Sequence, residues 1–190
     1  LTFNTGGDIV VTGTISGGFP QTEPFRGFLG IGVSRLDNPT PSSVLDQDSW
    51  MPPVIASSRT SATSFSDKEQ IWADNAESSP FFGNVYVCVD DFRSNSRGNA
   101  FAQTVSVDIS TDGGDSWKVK QISTATTNNV LGFHAGCTVR TDSAGNVYVF
   151  YTHFQVGTPG FGAHTMQKST DGGRTWTRPR RGGCAPSRGR

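Results

Sequence analysis

The octapeptide STDGGDSW, Ser110 to Trp117, returns as STDGGRTW, Ser169 to Trp176, in a chain of 190 residues. In both copies an Asp precedes two glycines, and a Ser or Thr precedes the Trp. The Asp side chain can accept backbone N–H groups across its own turn, and glycine adopts the positive φ that tight turns require. Burying the Trp would remove about 200 Å² from water, worth at most about 5 kcal/mol. The octapeptide is therefore predicted to be a hairpin turn with a structural role.

A second motif gives the length of the repeat. A glycine opens an alternating, β-rich run in GDIVVTG from Gly7, in GNVYVCVD from Gly83 and in GNVYVFYT from Gly145. The first unit closes on Asp-Ser-Trp after a Pro/Ser-rich insertion, so Trp50 takes the place that Trp117 holds later in the chain. The sequence is thus predicted to contain three units of about 60 residues each.

Each unit is predicted to form four strands and no helix. In the second unit these are Gln70–Asp74, the GNVYVCVD run, Thr104–Ser110 and WKVKQIS from Trp117. Four-stranded sheets that recur with Gly and Trp motifs indicate the blades of a β-propeller. A two-sheet sandwich is the rival, but it does not need a repeated turn sequence. No alternation follows Trp176, so the third unit is predicted to lack its fourth strand.

The domain prediction is a partial, all-β propeller over 1–177, with antiparallel blades at roughly 1–60, 61–125 and 126–177. Residues 178–190 are predicted to be a basic, disordered tail. Three blades form an open arc, which would expose two sheet edges. We therefore expect about three of six blades in this chain. The others would come from the remainder of a longer protein or from a second copy.

Charge and composition limit the function classes. The chain has 16 Lys and Arg residues and 16 Asp and Glu residues. Five of the Arg and none of the acids fall in 178–190, so the rest of the chain has 11 basic and 16 acidic residues and a net charge of −5. An acidic body argues against nucleic-acid binding. No stretch of about 18 apolar residues predicts a membrane span. Of the three cysteines, Cys88 and Cys137 could pair if their strands are neighbours, and two separately buried thiols are equally compatible with the sequence.

The octapeptides resemble the Asp box, or BNR repeat, of the sialidase superfamily, Ser-x-Asp-x-Gly-x-Thr-Trp. STDGGRTW matches every fixed position, and STDGGDSW differs only by Ser116 for Thr. The resemblance spans roughly residues 5 to 178. It assigns a structural role to two sets of residues: Ser110, Asp112, Gly114 and Trp117, and then Ser169, Asp171, Gly173, Thr175 and Trp176. Asp boxes also occur in sortilin-type receptors and assembly factors, so the box indicates a fold more than an activity.

The resemblance also implies where a site would lie. Asp boxes occupy one face of such a propeller and the substrate pocket opens on the other, which receives the connections around Ser66–Glu69, Gly132–His134, Asp90–Arg93 and His153–His164. Sialidases use three Arg to clamp the sugar carboxylate, a Tyr nucleophile paired with a Glu, and an Asp acid/base. The candidate catalytic residues are Asp67, Asp91, Arg93, Arg26 and Arg140. Arg26 lies in PFRGF, which resembles the Phe-Arg-Ile-Pro motif of the family, and Arg140 could point to the central channel.

The functional prediction is a secreted, periplasmic or cell-surface module that acts on a glycan or glycoconjugate by exo-α-sialidase-type hydrolysis. The alternative is a non-catalytic BNR-repeat propeller that binds carbohydrate or protein. It rests on the absence of an assignable Tyr/Glu pair, because Tyr86, Tyr148 and Tyr151 all fall in predicted blade strands. No cofactor and no metal site are predicted: an Asp-x-Gly-Gly turn lacks the acidic positions of a calcium loop.

Overall fold

The computed structural model describes residues 2–3, 9–17, 28–59, 64–94, 100–126, 132–154 and 162–182. These residues form twelve strands and two short 3-10 turns, Ser43–Leu45 and Gln47–Ser49, without an α-helix among them. The strands are β1 Thr2–Phe3, β2 Ile9–Gly17, β3 Phe28–Leu36, β4 Val54–Arg59, β5 Ser64–Ala73, β6 Val85–Ser94, β7 Ala100–Ser110, β8 Lys118–Gln121, β9 Phe133–Thr141, β10 Val147–Phe154, β11 Gly162–Ser169 and β12 Arg180–Gly182. No helix in the described part of the chain is long and apolar enough to span a membrane.

The strands form three antiparallel sheets of four, each in chain order: β1–β4, β5–β8 and β9–β12. The all-β prediction and the four-stranded, antiparallel unit are confirmed. Two expectations were wrong. The third sheet does have a fourth strand, because β12 pairs with β11 from His164 to Met166. Ser66–Glu69 and Asp90–Arg93, predicted as connections, lie inside β5 and β6, whose ladder continues to Ser64 and Arg93. The predicted connections Gly132–His134 and His153–His164 likewise overlap strands, because β9 begins at Phe133, β10 ends at Phe154 and β11 begins at Gly162.

The second sheet is packed on both faces, and the sequence of β6 explains why. Val85, Tyr86, Val87, Cys88 and Val89 are all fully buried, as a continuous apolar run must be if neither face meets water. The odd-numbered members, together with Ile71 and Ala73 of β5, face the first sheet and form one core cluster with its Ile31, Val33 and Ala56. The even-numbered members form a second cluster with Val105, Val107, Cys137, Val139, Val147, Val149 and Tyr151, most of it from the third sheet.

The two octapeptides form the same turn between the third and fourth strands of their sheets. In the second copy, Asp171 accepts from Ser169 Oγ at 2.8 Å, from Thr175 N at 2.8 Å and from Thr175 Oγ1 at 2.6 Å. Ser169 Oγ in turn accepts from Gly173 N at 2.9 Å, and Trp176 Nε1 donates to the Gly173 carbonyl at 2.8 Å. The first copy repeats every bond, from Ser110 Oγ to Asp112 through Trp117 Nε1 to the Gly114 carbonyl.

Each turn also contacts the preceding sheet. Gly172 and Gly173 have φ of 70° and 90°. A Cβ on Gly172 would stand 2.8 Å from the Phe81 ring, and one on Gly173 would stand 2.6 Å from Ile109 Cδ1. In the first copy the Gly113 carbonyl accepts from Arg35 Nη1 at 3.0 Å. The paired glycines thus permit both the backbone conformation and the close approach of one sheet to the next.

Covalent and polar links cross the interface between the second and third sheets. Cys88 on β6 and Cys137 on β9 form a disulfide with a Cα–Cα distance of 6.0 Å. On the same interface, Trp72 Nε1 donates to Thr141 Oγ1 at 2.9 Å and Val139 N donates to Gln70 Oε1 at 2.9 Å. The sequence was compatible with a disulfide or with two separately buried thiols, and the structure shows the disulfide.

Candidate functional site

Polar residues collect at the ends of the sheets away from the octapeptide turns. The register of the second sheet shows this directly: Ser110 of the turn pairs with Val85 at one end, whereas Asp91 pairs with Ser66 and with Thr104 toward the other. His134 and His153 pair with each other at the corresponding end of the third sheet. This surface is called the polar end below.

A bulge on β5 presents Asp67 to solvent at the polar end. The register of the ladder with β6 shifts between Asp67 and Gln70. Lys68 has a φ of 58°, a backbone conformation that residues other than glycine rarely adopt. Lys68 N donates to Asp67 Oδ1 at 2.8 Å, and Lys68 Nζ lies 3.2 Å from Asp67 Oδ2. Both side chains are about half exposed, at 54% for Lys68 and 49% for Asp67. Bulges and positive-φ residues of this kind are frequent next to functional sites.

Asp90 lies directly across from Asp67 in the ladder but is only 1% exposed. Its Oδ2 accepts from Gly136 N at 2.6 Å, and its Oδ1 has no hydrogen-bond partner within the described residues. Burial raises the pKa of Asp90 to about 6; the Gly136 N–H lowers it in part, while the neighbouring Asp67 carboxylate adds to the increase. A buried carboxyl with a raised pKa and a half-exposed carboxylate thus lie opposite each other in the ladder.

Gly136 belongs to a second bulge, on β9. The register between β9 and β10 shifts there, Gly136 has a φ of 61°, and no atom lies within 4 Å of the place where its Cβ would be. The first strands of the second and third sheets therefore both depart from regular pairing beside Asp90. In the sequence, the adjacent acids Asp90 and Asp91 are the one feature that hints at this arrangement.

Asp91 and Arg93 point to the opposite face of the second sheet from Asp90. Asp91 accepts from Ser66 Oγ at 2.7 Å and from Ser106 Oγ at 2.6 Å, so its carboxylate is held by hydroxyl donors on both neighbouring strands. Arg93 is exposed. Both residues line a cavity of about 480 Å³ together with Gln103 and Gln121. That volume is in the range of small-molecule sites.

Two predicted residues do not join this group. Arg26 falls outside the described residues. Arg140 lies toward the octapeptide end of β9, paired with Tyr148, where its guanidinium stacks 4.5 Å from the centroid of the Trp72 ring and donates to the Val139 carbonyl at 2.6 Å. The structure therefore brings together Asp67 and Asp90, and separately Asp91 and Arg93, and it places Arg140 apart from all four.

A recess of about 80 Å³ lies between the second and third sheets at the polar end. His134 and His153 line it with ring centroids 5.0 Å apart, and Tyr151 meets His134 edge to face at 5.0 Å. Burial, together with the nearby His153 and Arg181, lowers the pKa of His134 to about 4. The His134 imidazole is thus neutral at pH 7, which suits a packed interior better than a charged site, and burial also lowers the pKa of His153. No set of three or more His, Cys, Asp or Glu in the described ranges is placed to hold a metal ion.

Comparisons with known proteins bear on the fold. No family model matches the chain, and no curated protein matches its sequence. Among solved structures, the Hadza microbial sialidase Hz136 superposes with a TM-score of 0.62 at 18% identity, over 92% of this chain and 35% of that one. The fold is sialidase-like. The three sheets are consistent with part of a β-propeller, and the chain spans about a third of the length of that sialidase.

Proposed function

We propose that this chain is three of about six blades of an extracytoplasmic, sialidase-like propeller that hydrolyses glycosidic bonds by exo-α-sialidase-type chemistry. The observation that carries the proposal is the pairing of exposed Asp67 with buried Asp90 at the polar end. Sialidase-type hydrolysis uses one Asp as acid/base and a Tyr, not a second carboxylate, as nucleophile. The bulge on β5 supplies an Asp that reaches solvent, beside a buried carboxyl on the neighbouring strand. The sialidase-like fold supports the choice of a glycan as substrate.

The proposed roles follow from exposure. Asp67 is the acid/base that meets the glycosidic oxygen, because its carboxylate reaches solvent on the bulge. Asp90 is a positioning residue: its carboxylate accepts from Gly136 N and lies directly across from Asp67 in the ladder. Arg93 lines the separate cavity beside Asp91, on the opposite face of the sheet from Asp90, where it would contact a more distant part of the glycan. Arg26 stays a further candidate for the carboxylate clamp.

The disulfide supports an extracytoplasmic location, since such bonds persist in oxidising compartments. The missing half of the ring would come from the remainder of the same protein or from a second copy. Gel filtration with light scattering distinguishes the two, because a second copy doubles the mass of the particle.

The test is glycosidase activity of the protein made from the full open reading frame that contains this chain. A fluorogenic sialoside and a panel of neutral glycosides are the substrates. Asp67→Asn should lower kcat by about 10²-fold or more, as loss of a general acid does. The control is Glu77→Gln, an exposed acid in the hairpin at the octapeptide end. A folded wild-type protein that turns over none of the substrates would contradict the proposal.

One observation favours a non-catalytic glycan- or protein-binding module instead. The chain has three tyrosines: Tyr86 and Tyr151 are buried, and Tyr148 donates to Asp142 Oδ2 toward the octapeptide end. None of them is exposed at the polar end to act as a sialidase nucleophile, so hydrolysis needs a tyrosine from the rest of the propeller. Binding on a glycan array without hydrolysis of the bound sugars would select this alternative.

A further inference from the structure

A groove of about 620 Å³ separates the second and third sheets at the octapeptide end, away from the polar end. One wall is β8 together with the end of β7, and the other is the second octapeptide turn. The hairpin that joins β5 to β6 closes it with Pro80 and Phe81. Ligand sites in proteins commonly have volumes of about 300–1,000 Å³, so the groove is large enough for a small oligosaccharide.

The floor of this groove is rigidly packed. Phe81 and Ile109 lie under Gly172 and Gly173 so closely that a Cβ on either glycine would approach them to within 2.8 Å and 2.6 Å. The groove wall beyond them is an Asp-box turn whose side chains bond to their own backbone. A ligand therefore meets a surface that is already formed and has little conformational entropy left to lose on binding.

The rim of the groove is basic. Lys118, Lys120 and Arg174 are exposed, and none of the three forms an ion pair with a described residue. Lys118 and Lys120 are two residues apart on β8, so they project to the same side about 7 Å from each other. The one carboxylate in the lining, Asp171, is committed to Ser169 and Thr175, and its pKa is lowered to about 2 by those hydrogen bonds.

We propose that this groove binds an anionic oligosaccharide, with its sulfate or carboxylate groups on Lys118, Lys120 and Arg174 and its sugar ring over the apolar floor. Charge complementarity with three unpaired cations carries the assignment to an anion. The choice of a saccharide rests on the proposed function; an acidic peptide is the competing occupant. The groove lies at the opposite end of the sheets from Asp67. It would therefore hold a part of the glycan that is distant from the cleaved bond, or a second glycan chain.

The experiment is calorimetric titration of the full protein with a sulfated heparin octasaccharide, with neutral maltooctaose and with a poly-glutamate peptide. We expect the sulfated octasaccharide alone to bind and added salt to weaken it, as exposed charges are screened. In the triple variant Lys118→Gln, Lys120→Gln, Arg174→Gln the Kd should rise about tenfold, because each exposed ion contact contributes a factor of about two.

A charge-matched control removes three other cations, Arg178→Gln, Arg180→Gln and Arg181→Gln, near the end of the chain. Binding that survives the groove variant, or that is lost equally in this control, overturns the proposal, and so does poly-glutamate binding with the affinity of the octasaccharide. Glycosidase turnover is measured in the same variants. If the wild type binds the octasaccharide but has no turnover, the proposed function fails while the groove assignment stands. If it turns over a glycoside but does not bind the octasaccharide, the groove assignment fails while the proposed function stands.

Discussion

The disulfide between Cys88 and Cys137 should be a main source of stability, because it joins the second and third sheets across 49 residues. In the chain-entropy model, closing a loop of that length restricts the unfolded state by about 14 cal/mol/K, or about 4 kcal/mol at 25 °C. For a domain of this size the melting temperature should fall by roughly 8–16 °C when the bond is lost. The perturbation is the double variant Cys88→Ala, Cys137→Ala.

The assay is urea unfolding with and without reductant. Wild type should lose about 4 kcal/mol of unfolding free energy on reduction, and the double variant should not respond. Cys184→Ser is the control, since it leaves the pair intact, and it should still respond to reductant. The denatured, unreduced wild-type chain should titrate one free thiol. Three free thiols, or a wild-type unfolding midpoint that ignores reductant, would refute the reasoning.

Three further results are expected. Between pH 4 and 6.5 the unfolded state binds the His134 proton more readily than the folded state does, so His134 makes the free energy of unfolding rise with pH. Asp90 has the opposite effect, because it binds a proton more readily when the protein is folded. In urea titrations across that range, Asp90→Asn should therefore leave a rise of about 3 kcal/mol and His134→Gln a fall of similar size. Gly173→Ala should destabilise the protein by about 1–3 kcal/mol, because the new Cβ would contact Ile109 and the residue has a positive φ. The control Arg174→Ala, at an exposed side chain, should cost less than about 0.5 kcal/mol. Equal melting temperatures for the two variants would show that Ile109 moves aside at no cost. Asp171→Ala should cost about 2–4 kcal/mol because three donors lose their acceptor, and a change within error would mean that water replaces it.

Much of the fold was predictable because its information is local. The octapeptide determines its own turn: the Asp, the hydroxyl residue and the Trp all bond within seven residues of one another. The run after Gly83 was correctly predicted as a strand, but as an alternating one; Val85 to Val89 are apolar at every position, and the structure buries them on both faces. Repetition of these motifs then gives the number of sheets, since each unit pairs mainly with itself.

The site depended on contacts that no local pattern encodes. A period-two alternation does not show where a ladder slips, so the bulges at Asp67 and Gly136, and the extension of β5 and β6 past them, were missed. The same alternation predicts which face of the sheet a side chain lies on, but not how far it lies from the neighbouring sheet.

The sequence by itself determined the octapeptide turns, most of the strands and the number of sheets, because these depend on hydrogen bonds and burial among residues that are close in the chain. It missed the fourth strand of the third sheet. Only the tertiary structure decided that Cys88 meets Cys137, that Arg140 stacks on Trp72 away from the polar end, and that Asp90 is buried against Gly136. All three are contacts between the second and third sheets. They arise from how the sheets pack, and residues at least 46 positions apart in the chain carry no local signal of that packing.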